Sequence, residues 1–549
     1  MTIAPHPATA APATCATLAT DPANGLAGNP VIKSANSSIV PASGQNVAYC
    51  RVQFLYGTNP NQNINIVVGL PLSAADGGSG RVQGAWNGRT QGLGGGGCAG
   101  TLVVNSAVNA GYVGSGTDTG HSGGNCEPGV NPDGTYNFQF IEDFIRNAIK
   151  QQVLWSKKLA QSYYGMSAAY NYWNGCSTGG RQGYLLAQEL GNELQGILAN
   201  APAIYWTRFQ TAQMWGQIAM KDLVGGPISS AKLTQTQASA VQACDAADGV
   251  TDGIIDDPRT CTFSATANIC GAPNAPAQNC LTQAEAEAID KIWDGPRNSK
   301  GRKIWFGLDR GTAFGGLNGA NAFALGVTQF HWDEHDLNFD WHTVSLDEYP
   351  EVAQDGSQNI ADVTDTFGPL DAFKQNGGKL LTFVGGNDQL IFPRGVINYY
   401  RQMASRYSRH PGRPDFDNLQ RFYRLFRAPG VGHCGGGAGP SPVDAFGALV
   451  NWVENGVPPQ SLLARGGSVP TRTRPLCPYP QTAIYNGTGS IDDANSFHCG
   501  GGLETRQVVC NDVLVRYKHE VHGTLDFSGT DLIPADCQVA KHDDDQDEE

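Results

Sequence analysis

Residues 170–180 read Tyr-Asn-Tyr-Trp-Asn-Gly-Cys-Ser-Thr-Gly-Gly and contain the pattern Gly-x-Ser-x-Gly around Ser177. The apolar and aromatic residues before this pattern predict a buried strand, and the residues after it predict a helix to about Leu190. A serine on such a strand-to-helix turn projects its hydroxyl outward, and small neighbours allow the chain to bend tightly. The segment therefore predicts a strand, a sharp turn and a helix, with Ser177 as nucleophile. An ordinary glycine-rich turn with a capping serine is the alternative.

Two later loops contain the partners that a serine nucleophile requires, namely a base and an acid that orients the base. When the serine occupies this kind of turn, the acid follows it in the chain and the histidine comes last. Asp388 directly follows the apolar run 379–384, and His433 lies in the loop Gly-Val-Gly-His-Cys-Gly. Both positions predict catalytic groups at strand ends. The alternatives are a plain turn residue for Asp388 and a surface loop histidine for His433.

Two cysteines lie beside these candidates. Cys176 immediately precedes Ser177, and Cys434 immediately follows His433. A disulfide between them would hold their Cα atoms about 5.5–6 Å apart. The hydroxyl of Ser177 and the imidazole of His433 would then lie close enough to form a hydrogen bond. In the chain-entropy model, a bond that closes so long a loop contributes on the order of 5 kcal/mol.

The composition argues against several classes of protein. The chain has 549 residues and a net charge of -14, which is unfavourable for binding nucleic acid or anionic lipid. No apolar run reaches the roughly 20 residues that a membrane span needs. The 14 cysteines form no Cys-x-x-Cys pair, so disulfides are favoured over zinc ligation. Disulfides favour a secreted or periplasmic protein, and because residues 1–14 contain no apolar stretch, we expect its signal peptide to be absent from this sequence.

The remaining patterns predict an α/β core interrupted by an insertion. Strands are predicted at 47–72, 101–105, 379–385 and 420–428, helices at 138–164 and 442–455, and a loop rich in Gly, Ser and Thr up to Gly124. Residues 203–363 are rich in aromatic rings and show little strand alternation. We therefore predict a discontinuous catalytic domain at 1–202 and 364–540, a lid domain at 203–363, and a disordered acidic tail at 541–549.

Cys176-Ser177, Asp388 and His433-Cys434 together resemble the signature of the tannase and feruloyl esterase family, which also contains the MHET hydrolases. The resemblance extends over about residues 15–499. It implies an α/β-hydrolase core with a large inserted lid domain, a Ser-His-Asp triad and an acyl-enzyme intermediate. It also implies a small aromatic ester as substrate, of the feruloyl, chlorogenate or gallate type.

Other functions remain open at this point. A terephthalate monoester hydrolase of the MHET type, and a lipase or peptidase on the same fold, would use the same triad. A non-catalytic polyphenol-binding protein is a further alternative, although an intact Ser, Asp and His set argues against it. Most aromatic rings of the insertion are expected to form its core, and some to stack on an aromatic acyl group. The sequence does not indicate an oligomeric state.

The resemblance further implies an oxyanion hole. One donor would be the backbone N–H of Thr178, the residue after the nucleophile. The other would come from the glycines at 94–97, and we favour Gly97. A flexible surface loop is the alternative interpretation of these glycines.

A second motif, at 244–261, contains five aspartates at short intervals around two glycines. Hard oxygen ligands of this kind suit Ca²⁺, although the spacing is not that of an EF-hand, and an acidic solvated turn is the alternative. The resemblance implies a structural calcium in the lid. Its ligands would be the side chains of Asp245, Asp248 and Asp252 and the main-chain carbonyls of Val250 and Ile254.

The resemblance also implies a set of disulfides. The implied pairs are Cys244–Cys261, Cys15–Cys50, Cys270–Cys280 and Cys477–Cys499. Two more pairs, Cys98–Cys126 and Cys510–Cys537, are suggested only by elimination.

Overall fold

The computed structural model describes residues 12–299, 301, 303–315, 324–353, 368–410 and 414–501. The predicted acidic tail and the suggested Cys510–Cys537 bond lie outside these residues. The chain divides into two units. The first unit contains the described parts of Met1–Gly124, Phe138–Leu198 and Leu370–Lys379, and the second unit those of Asn125–Asn137, Ala199–Pro369 and Leu380–Glu549. The boundaries of the lid and catalytic domains stay a prediction.

The first unit is built on a mixed sheet. Its strands are β1 (Ile32–Val40), β2 (Tyr49–Tyr56), β3 (Ile64–Pro71), β4 (Arg89–Leu93), β5 (Val113–Thr117) and β6 (Tyr170–Cys176). The next strand, β7 (Gly196–Asn200), begins in the last residues of the segment Phe138–Leu198. The first six lie in the order β1-β2-β3-β5-β4-β6. The pairs β1–β2, β2–β3 and β3–β5 are antiparallel, whereas β4 runs parallel to both β5 and β6. The strands predicted at 47–72 are therefore confirmed as β2 and β3.

The prediction of a strand at 101–105 is wrong. A helix begins at Asn105, and the neighbouring strand is β5, with the sequence Val-Gly-Ser-Gly-Thr, in the segment that we predicted to be a loop. The glycines of β5 let neighbouring backbone pack closely against the strand, whereas the prediction treated them only as loop-forming residues. A Cβ atom on Gly116 would lie 2.1 Å from the carbonyl oxygen of Thr101, and one on Gly114 would lie 2.9 Å from the Cβ of Ala107.

The helices follow the predicted periodicity where the pattern is long. The described α-helices are α1 (Cys15–Leu18), α2 (Asn105–Asn109), α3 (Phe138–Glu142), α4 (Ala148–Tyr164), α5 (Thr178–Glu189), α6 (Trp206–Val224), α7 (Ser230–Cys244), α8 (Gln283–Asp294), α9 (Ala324–Asp333), α10 (Asp371–Gln375), α11 (Pro393–Arg406), α12 (Phe416–Leu419) and α13 (Ala445–Asn455). The helix predicted at 138–164 is present as α3 and α4, joined by a π-helical turn. In the core of the first unit, Trp155 and Leu159 of α4 pack with Phe54 of β2 and Ile66 of β3.

The second unit contains the later strands. These are β8 (Lys379–Gly385), β9 (Tyr423–Ala428), β10 (Ser441–Pro442), β11 (Leu462–Arg465), β12 (Thr473–Leu476), β13 (Thr482–Tyr485) and β14 (Phe497–Gly500). β8 and β9 are parallel, and the pairs β10–β11, β11–β12 and β13–β14 are antiparallel. The strands predicted at 379–385 and 420–428 are confirmed as β8 and β9.

The aromatic residues of the segment 203–353 mainly form the core of the second unit. Met214 and Trp215 of α6 pack with Phe330 of α9 and with Tyr349. Trp305 and Trp332 are each only 1% exposed. The expectation that most of these rings are core residues is therefore confirmed. In the described part of the chain, no helix is both long and apolar enough to span a bilayer.

Candidate active site

Ser177 lies at the turn between β6 and α5, where the sequence predicted it. Its backbone has φ 64° and ψ -123°, a left-handed conformation that costs free energy for a residue with a side chain. Glycine is required beside it because a side chain would clash with the backbone: a Cβ on Gly175 would lie 2.4 Å from the carbonyl oxygen of Gly179. The turn therefore has the strained geometry of a nucleophile elbow.

The glycine loop at 94–97 packs directly on this turn. The N–H of Gly179 donates to the carbonyl of Gly95 at 2.9 Å, and the N–H of Gly95 donates to the side chain of Gln182 at 3.0 Å. A Cβ on Gly94 would lie 2.4 Å from the Cα of Gly179. The loop is therefore bonded to the N-terminal turn of α5, which argues against the alternative of a flexible surface loop.

The hydrogen bonds of this loop distinguish among its possible oxyanion donors. The N–H groups of Gly94, Gly95 and Gly96 already donate to Asn174, Gln182 and Ala99, respectively. The N–H groups of Gly97 and Thr178 make no hydrogen bond to any described residue. The hydroxyl of Thr178 donates to the carbonyl of Gly97 at 2.5 Å and so links the two residues. These contacts support the choice of Gly97, and the side-chain link through Thr178 was not predicted.

His433 and Asp388 meet in the second unit. The Nδ1 atom of His433 lies 2.9 Å from Oδ2 of Asp388. The other carboxylate oxygen of Asp388 accepts the N–H groups of Leu390 at 2.9 Å and Ile391 at 3.0 Å, and the residue is 1% exposed. Asp388 therefore has the position and the contacts of a group that fixes the orientation and tautomer of the imidazole.

Two backbone hydrogen bonds join the loop after β8, which contains Asp388, to the chain at the end of β9 and in the loop after it, which contains His433. The N–H of Asn387 donates to the carbonyl of Val431 at 2.9 Å, and the N–H of Gly386 donates to that of Ala428 at 2.7 Å. The loops follow β8 and β9, two parallel strands whose carboxyl ends lie side by side. This arrangement is the expected place for catalytic groups in an α/β fold. Ser177 belongs to the first unit, so its contact with His433 stays a prediction.

The predicted calcium loop is folded around Asp245. Its carboxylate accepts the N–H groups of Asp252 at 3.1 Å, Gly253 at 2.9 Å and Ile254 at 3.3 Å. Asp248 accepts the N–H of Val250 at 2.9 Å. The carboxylate of Asp252 pairs with Arg474, and Arg472 approaches it to 3.6 Å. The five predicted ligands therefore belong to one short loop.

The charges in this loop are crowded. Desolvation raises the pKa of Asp256, and the neighbouring carboxylates of Asp248 and Asp252 raise it further, to about 7. Desolvation also raises the pKa values of Asp248 and Asp252. Several carboxylates in so little space suit a divalent cation chemically. Among the described residues, however, no group of three or more His, Cys, Asp or Glu side chains is arranged to hold a metal ion.

Four disulfides join the cysteines that the resemblance paired. They are Cys15–Cys50, Cys244–Cys261, Cys270–Cys280 and Cys477–Cys499. Cys98, Cys126, Cys176 and Cys434 are also disulfide-bonded. Cys176 beside the predicted nucleophile and Cys434 beside the predicted base are thus not free thiols, and their pairing with each other stays a prediction.

Comparison with known proteins relates this chain to one family. A family model described as tannase and feruloyl esterase matches residues 81–500. A probable feruloyl esterase from Arthroderma benhamiae is 36% identical over 445 residues, which is 75% of this chain and 80% of that protein. The crystal structure of feruloyl esterase B from Aspergillus oryzae superposes with a TM-score of 0.73 at 24% identity, covering 85% of this chain and 96% of that one. Tannin acyl hydrolase from Aspergillus niger superposes with a TM-score of 0.74 at 25% identity, covering 86% and 91%.

Proposed function

Because the chain belongs to the tannase and feruloyl esterase family and is a carboxylic ester hydrolase with an α/β-hydrolase fold, we propose that it cleaves esters of phenolic acids with Ser177 as nucleophile. The names of the relatives support hydroxycinnamate or gallate esters as substrates. The observation that carries the proposal is the hydrogen bond of 2.9 Å between His433 and Asp388, two residues predicted as base and acid.

The proposed reaction has two steps. The hydroxyl oxygen of Ser177 attacks the ester carbonyl while His433 accepts the hydroxyl proton. Asp388 stabilises the positive imidazole, and the leaving alcohol takes the proton from His433. Water then attacks the acyl-enzyme with His433 again as base, which releases the acid and restores the serine.

The negative charge that develops on the carbonyl oxygen would be stabilised by two backbone donors, the N–H groups of Thr178 and Gly97. Both are free of other partners among the described residues, and α5 directs the positive end of its dipole toward its first residue. Removal of one such donor typically slows an enzyme by about 10²–10³-fold. The hydroxyl of Thr178 would fix the spacing of the two donors.

A disulfide between Cys176 and Cys434 is part of the proposal. It would bring the nucleophile turn to the histidine loop, so that the serine hydroxyl reaches the imidazole. Both cysteines are disulfide-bonded. The proposal therefore assigns this bond a positioning role in the active site.

We also propose that the loop 245–254 binds a structural calcium. The residues that would hold it are Asp245, Asp248 and Asp252 through their side chains and Val250 and Ile254 through their carbonyls. The crowded carboxylates support this assignment, because a bound cation would relieve their repulsion. The ion would stabilise the loop and take no part in the ester chemistry.

The disulfides support a location outside the cytoplasm. Such bonds persist in oxidising compartments and are rare where thiols are kept reduced. Twelve cysteines of the described part of the chain are disulfide-bonded. We therefore propose a secreted or periplasmic enzyme.

The decisive experiment is a panel of substrates tested on the wild-type protein and on Ser177→Ala. Methyl ferulate, methyl gallate, a long-chain acyl ester and a peptide amide separate the proposed activity from a lipase and a peptidase. We expect hydrolysis of one of the two phenolic esters by the wild type and its loss in the variant. Retained hydrolysis in Ser177→Ala would disprove the assignment of the nucleophile. Covalent labelling by a fluorophosphonate, expected in the wild type only, would exclude a non-catalytic binding protein.

A further inference from the structure

A side chain of α6 contacts the loop 386–392, which lies between β8 and α11 and contains Asp388. The Nε2 atom of Gln213 donates to the carbonyl of Leu390 at 2.9 Å, although the two residues are 177 positions apart in the chain. Leu390 donates its own N–H to the carboxylate of Asp388, also at 2.9 Å. Both residues belong to the second unit. A chain of hydrogen bonds therefore runs from α6 through Leu390 and Asp388 to the imidazole of His433.

The packing around Gln213 fixes its position. The residue is only 3% exposed, and its neighbours Met214 and Trp215 pack in the core with Phe330. The indole N–H of Trp215 also donates to the carbonyl of Lys291 on α8, at 2.8 Å. Because protein interiors are close-packed, a side chain at such a position has little freedom to move. Gln213 therefore presents its amide to Leu390 from a rigid part of the fold.

The loop 386–392 depends on contacts of this kind. Its first two residues are joined by backbone hydrogen bonds to the end of β9 and to the loop after it. Leu390 and Ile391 come later, and their N–H groups both donate to one oxygen of Asp388. The loop ends at Phe392, whose φ of 58° is a left-handed conformation that persists only where surrounding contacts hold it. A shift of the Leu390 peptide would therefore move the carboxylate of Asp388 with it.

We propose that Gln213 is a positioning residue for the ester hydrolysis, a role that rests on the triad proposed above. Its amide fixes the peptide of Leu390, and this peptide helps to hold Asp388 in the orientation that the imidazole requires. Gln213 acts through these residues and takes no direct part in the chemistry. Since α6 belongs to the segment predicted as the lid, that segment would also help to set the geometry of the catalytic acid.

The test is Gln213→Met, which nearly keeps the size of the side chain and removes the amide. Asp388 then loses part of its support, so kcat for the better of methyl ferulate and methyl gallate should fall by roughly tenfold to hundredfold, while KM changes little. Gln210→Met, on the same helix, is the matched control. Gln210 is 1% exposed, and its amide has no hydrogen-bond partner among the described residues. Thermal midpoints show which variants fold, and Gln213→Leu replaces Gln213→Met if the latter does not.

Two measurements separate positioning from a merely structural role. In the Asp388→Asn background no carboxylate is left to position, so Gln213→Met should have little further effect on kcat. A structural role would instead give the same fold-change in both backgrounds. The proton NMR resonance of the Nδ1–H group of His433 reports the hydrogen bond to Asp388 without any substrate. This resonance should shift in Gln213→Met and stay in place in Gln210→Met.

The outcomes are distinguishable. A loss of kcat that is confined to Gln213→Met, disappears in the Asp388→Asn background and accompanies a shifted resonance supports the proposal. An unaltered kcat in folded Gln213→Met, an equal loss in Gln210→Met, or the same fold-change in both backgrounds overturns it and leaves the esterase assignment intact. A wild type that hydrolyses neither ester overturns the proposed function. The resonance then decides whether Gln213 positions Asp388, and an identical resonance in the wild type and Gln213→Met shows that it does not.

Discussion

Asp388 and the aspartates of the loop at 245–256, all in the second unit, differ in the partners of their carboxylates. Asp388 stands alone, buried, with both carboxylate oxygens engaged by two backbone N–H groups and by His433. The loop at 245–256 instead brings several carboxylates together. Desolvation and then the charges of Asp248 and Asp252 raise the pKa of Asp256, and desolvation and the charge of Asp245 raise that of Asp248. Both carboxylate oxygens of Asp388 therefore have hydrogen-bond partners. In the loop, Arg474 pairs with Asp252, and the pKa values of Asp248, Asp252 and Asp256 are nevertheless raised.

The two arrangements suit different tasks, orienting an imidazole in one case and binding a cation in the other. A single carboxylate with matched donors holds one geometry, which is what an imidazole needs in order to present the correct nitrogen. Several carboxylates close together repel one another, and a divalent cation would remove that repulsion. Substitutions in the two groups should therefore affect different properties, catalytic rate in one and stability in the other.

The largest effect is expected for Asp388→Asn. The amide oxygen can still accept the N–H groups of Leu390 and Ile391, so we expect the fold to persist. The amide cannot stabilise the positive imidazole and favours the wrong tautomer, so kcat should fall by about 10⁴-fold. Steady-state kinetics with the better phenolic ester, together with the thermal midpoint, measure the two properties separately. A fall of less than tenfold in a folded variant would contradict the role of Asp388.

An intermediate effect is expected for Asp248→Asn, on stability. If the loop binds calcium, the ion should stabilise the wild type by about 3 kcal/mol at a free concentration near 100 times its Kd. The thermal midpoint of the wild type should thus rise on adding calcium to the chelated protein, and that of Asp248→Asn should rise much less. Calorimetry with and without a chelator measures the shift. If calcium does not change the thermal midpoint of the wild type, the loop at 245–256 is an acidic turn that binds no calcium.

The smallest effect is expected for Asp257→Asn, which also serves as the control for Asp248→Asn because it lies nearby and is not a proposed ligand. Asp257 pairs with Arg259 at 3.0 Å and 3.1 Å, and although burial raises its pKa, these bonds and the charge of Arg259 lower it overall. A lowered pKa means that the pair stabilises the fold at pH values above about 4 and that this contribution is lost as the pH falls further.

Urea unfolding should therefore show Asp257→Asn about 1–2 kcal/mol less stable than the wild type at pH 7, with a smaller difference near pH 3. Its response to calcium should match that of the wild type. A difference in stability that grows as the pH falls would contradict this account of the Asp257–Arg259 pair.

The sequence predicted the local structure around the candidate catalytic residues better than that of the neighbouring segments. Ser177, Asp388 and His433 were predicted as catalytic residues because each lies in a local pattern, a glycine-bounded turn or a loop after an apolar run. β5 was missed because its glycines suggest a loop, and the hydroxyl contact from Thr178 to Gly97 had no signal in the sequence.

Short-range patterns were sufficient for the strand-turn-helix around Ser177 and for the loops after β8 and β9, because neighbours in the chain determine turns, helix starts and buried runs. The pairing of Asp388 with His433 and the hydrogen bond from Thr178 to Gly97 depend on contacts between segments that are distant in sequence. So does the crowding of carboxylates near Arg474. Such contacts form when the strands and loops pack together, and the order of residues alone does not specify their distances.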